Sequence, residues 1–362
     1  MALMSYKCPN CGGGLVFDPD SQKLKCEYCL SEFTEEEMKR LEETAASPET
    51  EETASPEEEE AVPQKSALSQ PMEDGEASVY TCPSCGAQIV TDATTAASFC
   101  YYCHNPVVFS GRLSGADVPD FILPFAIDKK EATSRFLSWI GKKKFVPGDF
   151  FSRDQIEKLS GIYFPYLIYS CQVDGRAEAE AEERRTWVSG RTRYTEHKKY
   201  QVERAGTLEV KNLTRNALNK ELVEGVLPFD MEKLLPFQMG YLSGFQAERR
   251  DMDGGSFADE AEQEVKQYTL DRLRSSMDTY STVHIKDSSM EIRSPRWQYA
   301  LLPVWVLTYG HRAGGKTYYF AMNGQTGKIW GRLPVDKRKL TALFFGVFFP
   351  VLAALMIGGW FL

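Results

Sequence analysis

Cys8-Pro9-Asn10-Cys11-Gly12, followed fourteen residues after Cys11 by Cys26-Glu27-Tyr28-Cys29, sets two C-x-x-C pairs at the spacing of a zinc ribbon. Proline stiffens the start of the turn, and glycine permits the positive φ the chain needs after the second ligand. Cys82-Pro83-Ser84-Cys85-Gly86 and the pair Cys100 and Cys103 repeat the pattern with the same gap, so the module is duplicated. Four thiolates around one ion suit the tetrahedral sulfur preference of zinc, and with every position filled by protein no opening remains for substrate or activated water. The expectation is two structural zinc ions, one on Cys8, Cys11, Cys26 and Cys29 and one on Cys82, Cys85, Cys100 and Cys103, with a rubredoxin-like iron centre as the competing metal. His104, next to a completed quartet, reads as a neighbour rather than a ligand.

Eight of the nine cysteines fall in these pairs, which implies a reducing compartment. The segment between the modules is different in kind. From Glu42 to Ser78 there are twelve acidic residues against one basic, Lys65, so this stretch carries -11 and leaves +2 for the rest of a chain whose formal charge is -9. A short acidic helix is expected over 34–43, and then a Glu, Pro, Ser and Ala-rich spacer that cannot bury enough surface to order itself and lets the two ribbons move independently.

Beyond residue 112 the pattern is mixed. Asp128 with Glu131 forms a capping box ahead of Ala132, Phe136, Trp139 and Ile140 at helical spacing. Further helices are expected over 231–249 and 258–277, and strands over 162–184, 191–203, 282–293, 299–309, 317–322 and 328–331. Asn323-Gly324 and Thr326-Gly327 mark a hairpin between the last two strands. Phe164-Pro165-Tyr166 and Leu302-Pro303-Val304 look alike, with Leu123-Pro124-Phe125 as a shorter echo, and proline places such runs at edges or bulges.

Residues 340–362 carry no charge, are long enough to span a bilayer core of about 30 Å, and follow Lys337, Arg338 and Lys339. No secretory signal opens the chain, and by the positive-inside tendency the N-terminal regions are expected in the cytoplasm. Ala354 and Gly358 are four apart, a spacing that lets helices approach closely but is also common by chance, so the sequence does not decide between a monomer and a homo-oligomer. The fold class is therefore α+β: ribbon 1 over 1–33, acidic helix and linker over 34–78, ribbon 2 over 79–112, an α+β domain of antiparallel sheet and helices over 113–335, a basic flank over 336–339 and a transmembrane helix over 340–362.

Catalysis has no candidate. The four histidines at 104, 197, 284 and 311 form no H-E-x-x-H, and no phosphate-binding glycine loop is present. Cys171 reads as a buried strand thiol in preference to a nucleophile, and Asp251, Asp253 and Gly254 as a polar turn in preference to a calcium loop. Arg184, Arg185, Arg191, Arg193, Lys198 and Lys199 alternate with Trp187, Tyr194 and Tyr200. A hairpin turning at Ser189-Gly190 sets Glu180 opposite Lys199, and a solvated sheet face is favoured there over lipid headgroups, with nucleic acid behind both. In ribbon 1, Lys7, Lys23 and Lys25 face Asp18, Asp20, Glu27 and Glu32, so neither ribbon has the dense positive surface that phosphate binding needs.

Cys8-Pro9-Asn10-Cys11, Leu24-Lys25-Cys26-Glu27-Tyr28-Cys29, Leu302-Pro303-Val304-Trp305 and the run from Ala321 through Met322-Asn323-Gly324-Gln325-Thr326-Gly327-Lys328 to Leu333-Pro334-Val335-Asp336 resemble a family of bacterial membrane proteins, found especially in Gram-positive lineages, with zinc ribbons of the transcription-factor-IIB type. The resemblance covers most of the chain and departs at position 30, where Leu stands in place of the glycine many such knuckles carry. It implies a membrane anchor working beside flotillin-like or phage-shock-protein-A-like partners in membrane-stress systems. The expected function is a non-enzymatic, membrane-tethered adaptor that presents zinc ribbons to protein partners; the alternative is a membrane-anchored nucleic-acid-binding regulator.

Overall fold

The computed structural model describes residues 3–45 and 78–360, apart from 93, 101–102, 114, 148–155, 218–224, 311–316 and 334. The acidic spacer expected after residue 45 lies outside the described residues up to position 77. In chain order the first ribbon contributes β1 (Leu3–Met4), β2 (Leu15–Asp18), β3 (Lys23–Cys26), β4 (Glu32–Phe33) and α1 (Glu35–Ala45). The second contributes β5 (Ser78–Thr81), β6 (Gln88–Thr91), β7 (Thr95–Phe99) and β8 (Pro106–Phe109). There follow β9 (Phe121–Ile122), α2 (Lys129–Gly141), β10 (Ser160–Ser189), β11 (Thr192–Asn216), β12 (Leu235–Pro236) and β13 (Gln246–Glu248). The chain ends with α3 (Ala258–Ser275), β14 (Thr282–Gly310), β15 (Thr317–Asn323), β16 (Ile329–Gly331) and α4 (Lys337–Trp360).

Strands β10, β11 and β14 have 30, 25 and 29 residues, several times the usual strand length. Alternation explains how they extend so far. Ala177, Ala179 and Ala181 are buried on one face while Glu178 and Glu180 are exposed on the other. The buried stripe is made of small residues where Leu273 of α3 and Met277 beyond it lie on it, while Ala261 and Val265 of α3 pack farther along β10 on Tyr169, Cys171 and Val173. A Cβ at Gly175 would come within 2.7 Å of Thr269 Cγ2, so glycine sets the approach of helix to sheet. Both outer strands bulge at the same level, with Asn212 at φ +61° and Ser294 at +50°, where the register shifts near Tyr169–Gln172. The second bulge takes up Ser294-Pro295, and β14 therefore runs through the gap expected between 293 and 299.

The hairpin closes one residue later than expected. Ser189 pairs with Thr192 around Gly190 (φ +63°) and Arg191, which puts Lys199 opposite Glu182 and Gln201 opposite Glu180.

Pro165 and Pro303 lie inside long central strands, not at sheet edges, yet each sits where the neighbouring strand changes. β10 pairs with β13 at Ile162 and Tyr163 and with β11 from Tyr166 onward; β14 pairs with β9 at Ala300 and Leu301 and with β15 from Val304 onward. The missing N–H of each proline falls at the gap between partners, so no ladder bond is lost. The look-alike runs pair with each other, Phe164 opposite Leu302.

No helix forms over 231–249. Pro236 removes a donor and Gly244 adopts φ +87°, so the segment becomes two short 3-10 turns with β12 and β13, while Leu242 and Phe245 still reach the core. Phe245 stacks on Phe125 at 4.3 Å. The helix at 128 forms as expected, with Asp128 Oδ1 accepting from the Glu131 amide at 2.6 Å and Ala132, Phe136 and Ile140 buried.

The Met322–Lys328 hairpin acts as a clamp. Buried Asn323 donates from Nδ2 to the carbonyls of Val226 and Pro228 (3.1 Å each) and accepts at Oδ1 from the amides of Gln325 and Thr326 (2.9 Å each). Gln325 exchanges hydrogen bonds with the backbone of Asp230, and the Lys328 ammonium donates to the Leu227 carbonyl.

The ribbons share the core of the sheet domain, contrary to the expectation of independent movement. Ala247 of β13 pairs with Ala97 of β7, β7 pairs with β8 and β8 with β1, so part of ribbon 2 continues the main sheet. Ribbon 1 packs Tyr6, Leu15, Phe17, Leu24 and Met38 into the same apolar cluster as Phe125, Tyr163 and Trp305. Its backbone is tied there by Phe17 N–H to Ser243 O (2.8 Å), Ser243 Oγ to Leu15 O (2.5 Å) and Gln22 Nε2 to Phe125 O (2.8 Å).

Among the described residues one helix is long and apolar enough to cross a membrane, over Lys337–Met356 within α4, and none of it is buried in the fold. Asp336 Oδ1 accepts from the amides of Arg338 and Lys339, and Lys339 Nζ donates to Val146 O at 2.8 Å. Pro350 lies inside the helix without ending it.

Candidate metal centres

Each C-x-x-C builds the same knuckle. The first cysteine's amide donates five residues ahead, to the carbonyls of Gly13, Ser31, Ala87 and Asn105 for Cys8, Cys26, Cys82 and Cys100 (2.7 to 2.9 Å). Its carbonyl accepts from the residue four ahead, Gly12, Leu30, Gly86 and His104 (2.8 to 3.0 Å). That residue takes the left-handed conformation in all four knuckles, with φ of +74°, +61°, +74° and +58°. Gly12 and Gly86 do so without a Cβ penalty, as the sequence suggests, whereas Leu30 and His104 do so against it. Leu30 thus keeps the glycine geometry without being glycine.

The turns bring both quartets together. In each, the ligand atoms of all four cysteines lie within 4.8 Å of one another, so each quartet can hold a metal ion. Sγ–Sγ separations are 3.5 Å for Cys8–Cys29, 3.4 Å for Cys11–Cys26, and 3.7 Å for both Cys82–Cys103 and Cys85–Cys100. A regular tetrahedron with metal–sulfur bonds near 2.3 Å has edges of about 3.8 Å, which the second quartet matches and the first approaches. Disulfides need sulfurs at about 2.05 Å, and all nine cysteines are free thiols. In each knuckle the first cysteine is buried, and the second is exposed in three of the four and half-buried at Cys103.

Local chemistry also favours a cation at the centre. Hydrogen bonds from the hydroxyl and amide of Ser31 hold the Cys29 thiol down to about 6. The Gly13 amide pulls Cys11 the same way, yet its contacts with Cys26 and Cys29 push it up to about 12. Loss of solvent pushes Cys103 up to about 12. Four sulfurs this close resist ionising together, and a divalent cation removes the conflict. Ser31 has no signature in the C-x-x-C pattern; its Oγ lies 3.3 Å from Cys29 Sγ and also accepts from Asn10 Nδ2 at 3.0 Å.

The two knuckle regions border a common cleft of about 370 Å³, lined by Glu27 and Tyr28 of ribbon 1, His104 and Asn105 of ribbon 2, and Lys129 and Trp305 of the sheet domain. Tyr28 and Leu30 are 76% and 68% exposed at its margin and just beyond it.

Elsewhere the chemistry is structural. Cys171 is buried on β10 against α3, and burial pushes its thiol up, away from a reactive thiolate. Asp253 caps a 3-10 turn through Ser256, whose amide and hydroxyl hold its carboxyl below the usual range. Arg184 to Lys199 form the tip of the long hairpin, remote from both quartets along the strands. Among the described residues the two cysteine quartets are the only clusters of His, Cys, Asp and Glu able to hold a metal.

No protein-family model and no solved structure matches the chain. The uncharacterized protein YdjG of Bacillus subtilis (strain 168) is 29% identical over 367 residues, an alignment covering 99% of this chain and 100% of that protein.

Proposed function

We propose that the chain is a non-enzymatic adaptor, tethered by α4 to the cytoplasmic face of a membrane, in which two zinc-filled ribbons present a protein-binding surface. Zinc fits the donor set best: four soft thiolates, near-tetrahedral edges and no open coordination position. Cys8, Cys11, Cys26 and Cys29 hold one ion and Cys82, Cys85, Cys100 and Cys103 the other, and each ion supplies folding energy rather than reactivity.

The observation that carries the reading is the cleft between the ribbons. Closed metal sites leave their outer surfaces as the functional part, and here two such surfaces are fixed side by side with the exposed Tyr28 in the cleft lining. The basic run Lys337 to Lys339 in the first turn of α4 supports a cytoplasmic N-terminal side. The resemblance to membrane-anchored double zinc-ribbon proteins points to flotillin-like or phage-shock-protein-A-like partners.

The test is in-cell crosslinking and affinity recovery of full-length protein, with identification of bound protein and nucleic acid. Defined proteins recovered with wild type and lost with Tyr28→Ala, a surface change that spares both metals, support the adaptor. Recovery of nucleic acid dependent on the cysteines, with no protein, overturns it in favour of a regulator.

A further inference from the structure

Beyond Glu182, the last residue of β10 that pairs with β14, the arm narrows to a two-stranded hairpin. Its outer twelve residues, 184–195, read Arg-Arg-Thr-Trp-Val-Ser-Gly-Arg-Thr-Arg-Tyr-Thr: four arginines and no acidic residue, in a chain whose net charge is -9. Arg185, Arg191 and Arg193 make no ion pair among the described residues. Trp187 stacks on Tyr194 across the strands (centroids 5.7 Å, 16° between planes), and both are exposed. Val188, directly opposite Arg193, is 65% exposed. Neither the ribbon fold nor α3 covers any of them.

We propose that this tip is a docking element for an anionic phospholipid surface. Arginine forks match phosphate oxygens, an indole and a phenol on one face of the ribbon suit the headgroup layer, and the aliphatic Val188 on the other face gains by reaching the acyl boundary when the tip enters end-on. The distribution of charge along the arm selects a planar surface met end-on. Behind the tip, Glu178, Glu180, Glu182 and Glu183 line β10, and Glu196 is the first acidic residue on β11. Glu196 stands opposite Arg185 but is itself paired with Lys198, and all of these carboxylates lie roughly 17 Å or more behind the turn, about two screening lengths at physiological salt, so headgroups touched by the end of the hairpin are largely screened from them. Along the shaft charges of both signs stand opposite one another, Lys199 facing Glu182 and Lys198 facing Glu183, so a nucleic acid laid along the same ribbon meets no continuous positive track, and Val188 offers it nothing to stack on.

The tip is also far from α4. The chain leaves the sheet at Arg332, whose amide donates to Tyr319 O opposite Thr308 of β14, while the tip lies beyond the other end of that strand. Roughly 100 Å of strand path separates them, so lipid contacts fall at both ends of one ribbon.

The experiment places the full-length chain in nanodiscs of neutral phosphatidylcholine and measures co-flotation with separate vesicles. Vesicles with about 30% phosphatidylglycerol are expected to capture the nanodiscs, and pure phosphatidylcholine vesicles are not. Arg191→Gln with Arg193→Gln is expected to weaken capture about 30-fold, and Trp187→Ala about tenfold with the salt dependence retained. All three positions lie outside the core, so unchanged metal content and circular dichroism accompany the loss. Equal capture by neutral vesicles, capture unaffected by these substitutions, or displacement of the vesicles by a short DNA duplex or RNA oligonucleotide overturns the proposal, the last result in favour of a nucleic-acid site.

Discussion

The two cysteine quartets have the same knuckles and different attachments. Ribbon 2 is sewn into the interior of the main sheet by backbone pairing through β7 and β13, whereas ribbon 1 reaches that sheet only at its edge, through β1 on β8, and otherwise keeps its own sheet of β2, β3 and β4 docked on the shared core. A duplicated sequence module has thus become a structural strand pair in one copy and a docked unit in the other. The damage from losing a metal should follow that difference.

The largest effect is expected from the buried ligands. Cys26→Ser and Cys100→Ser each remove a fully buried thiolate, and each should lower metal content from two ions to one. Cys100→Ser should also free amides of β13 and β10 to hydrogen exchange, while Cys26→Ser leaves that edge protected. Equal protection in both variants breaks the distinction between the attachments.

Arg112 sharpens it next. Buried beside the second quartet, it donates to Tyr80 Oη (2.9 Å) and to the carbonyls of Asp92 and Thr95, and lies over the Tyr80 and Phe109 rings. Arg112→Ala removes three hydrogen bonds of a buried charge and the packing of its stem, and should cost about 3 kcal/mol in denaturant unfolding. Ser243→Ala, which cuts the bond to Leu15 of ribbon 1, removes a single neutral hydrogen bond and should cost about 1 kcal/mol.

The smallest change compares the knuckles directly. Leu30→Gly and His104→Gly both relieve a left-handed residue, and each should raise stability by up to about 1 kcal/mol, with more gain at Leu30 because histidine is better tolerated there. Thermal unfolding of the two variants checks the order.

Metal spacing, the alternating arm and the Asp128 cap were legible in the sequence because each rests on a local period or a fixed offset. Where legibility failed, contacts distant in sequence decided the outcome. Leu234 to Phe245 carries apolar residues at spacings a helix can use, but Pro236 and Gly244 divert them into turns that pack on ribbon 1 and the core. Pro165 and Pro303 look like edge residues until the change of neighbouring strand is known. The Met322–Lys328 run was readable as a hairpin, but its hold on Val226, Pro228 and Asp230 depends on a segment almost a hundred residues earlier. At the candidate site the eight cysteines that come together in two quartets were all legible, and the supporting Ser31 and the cleft between ribbons were not, since neither has a spacing rule.

The most direct measurement is metal analysis of purified full-length protein beside a Cys82→Ser, Cys85→Ser variant. Two zinc ions per chain in the wild type and one in the variant are expected. Iron in their place, or no stoichiometric metal in the wild type, contradicts the assignment of both quartets as structural zinc sites.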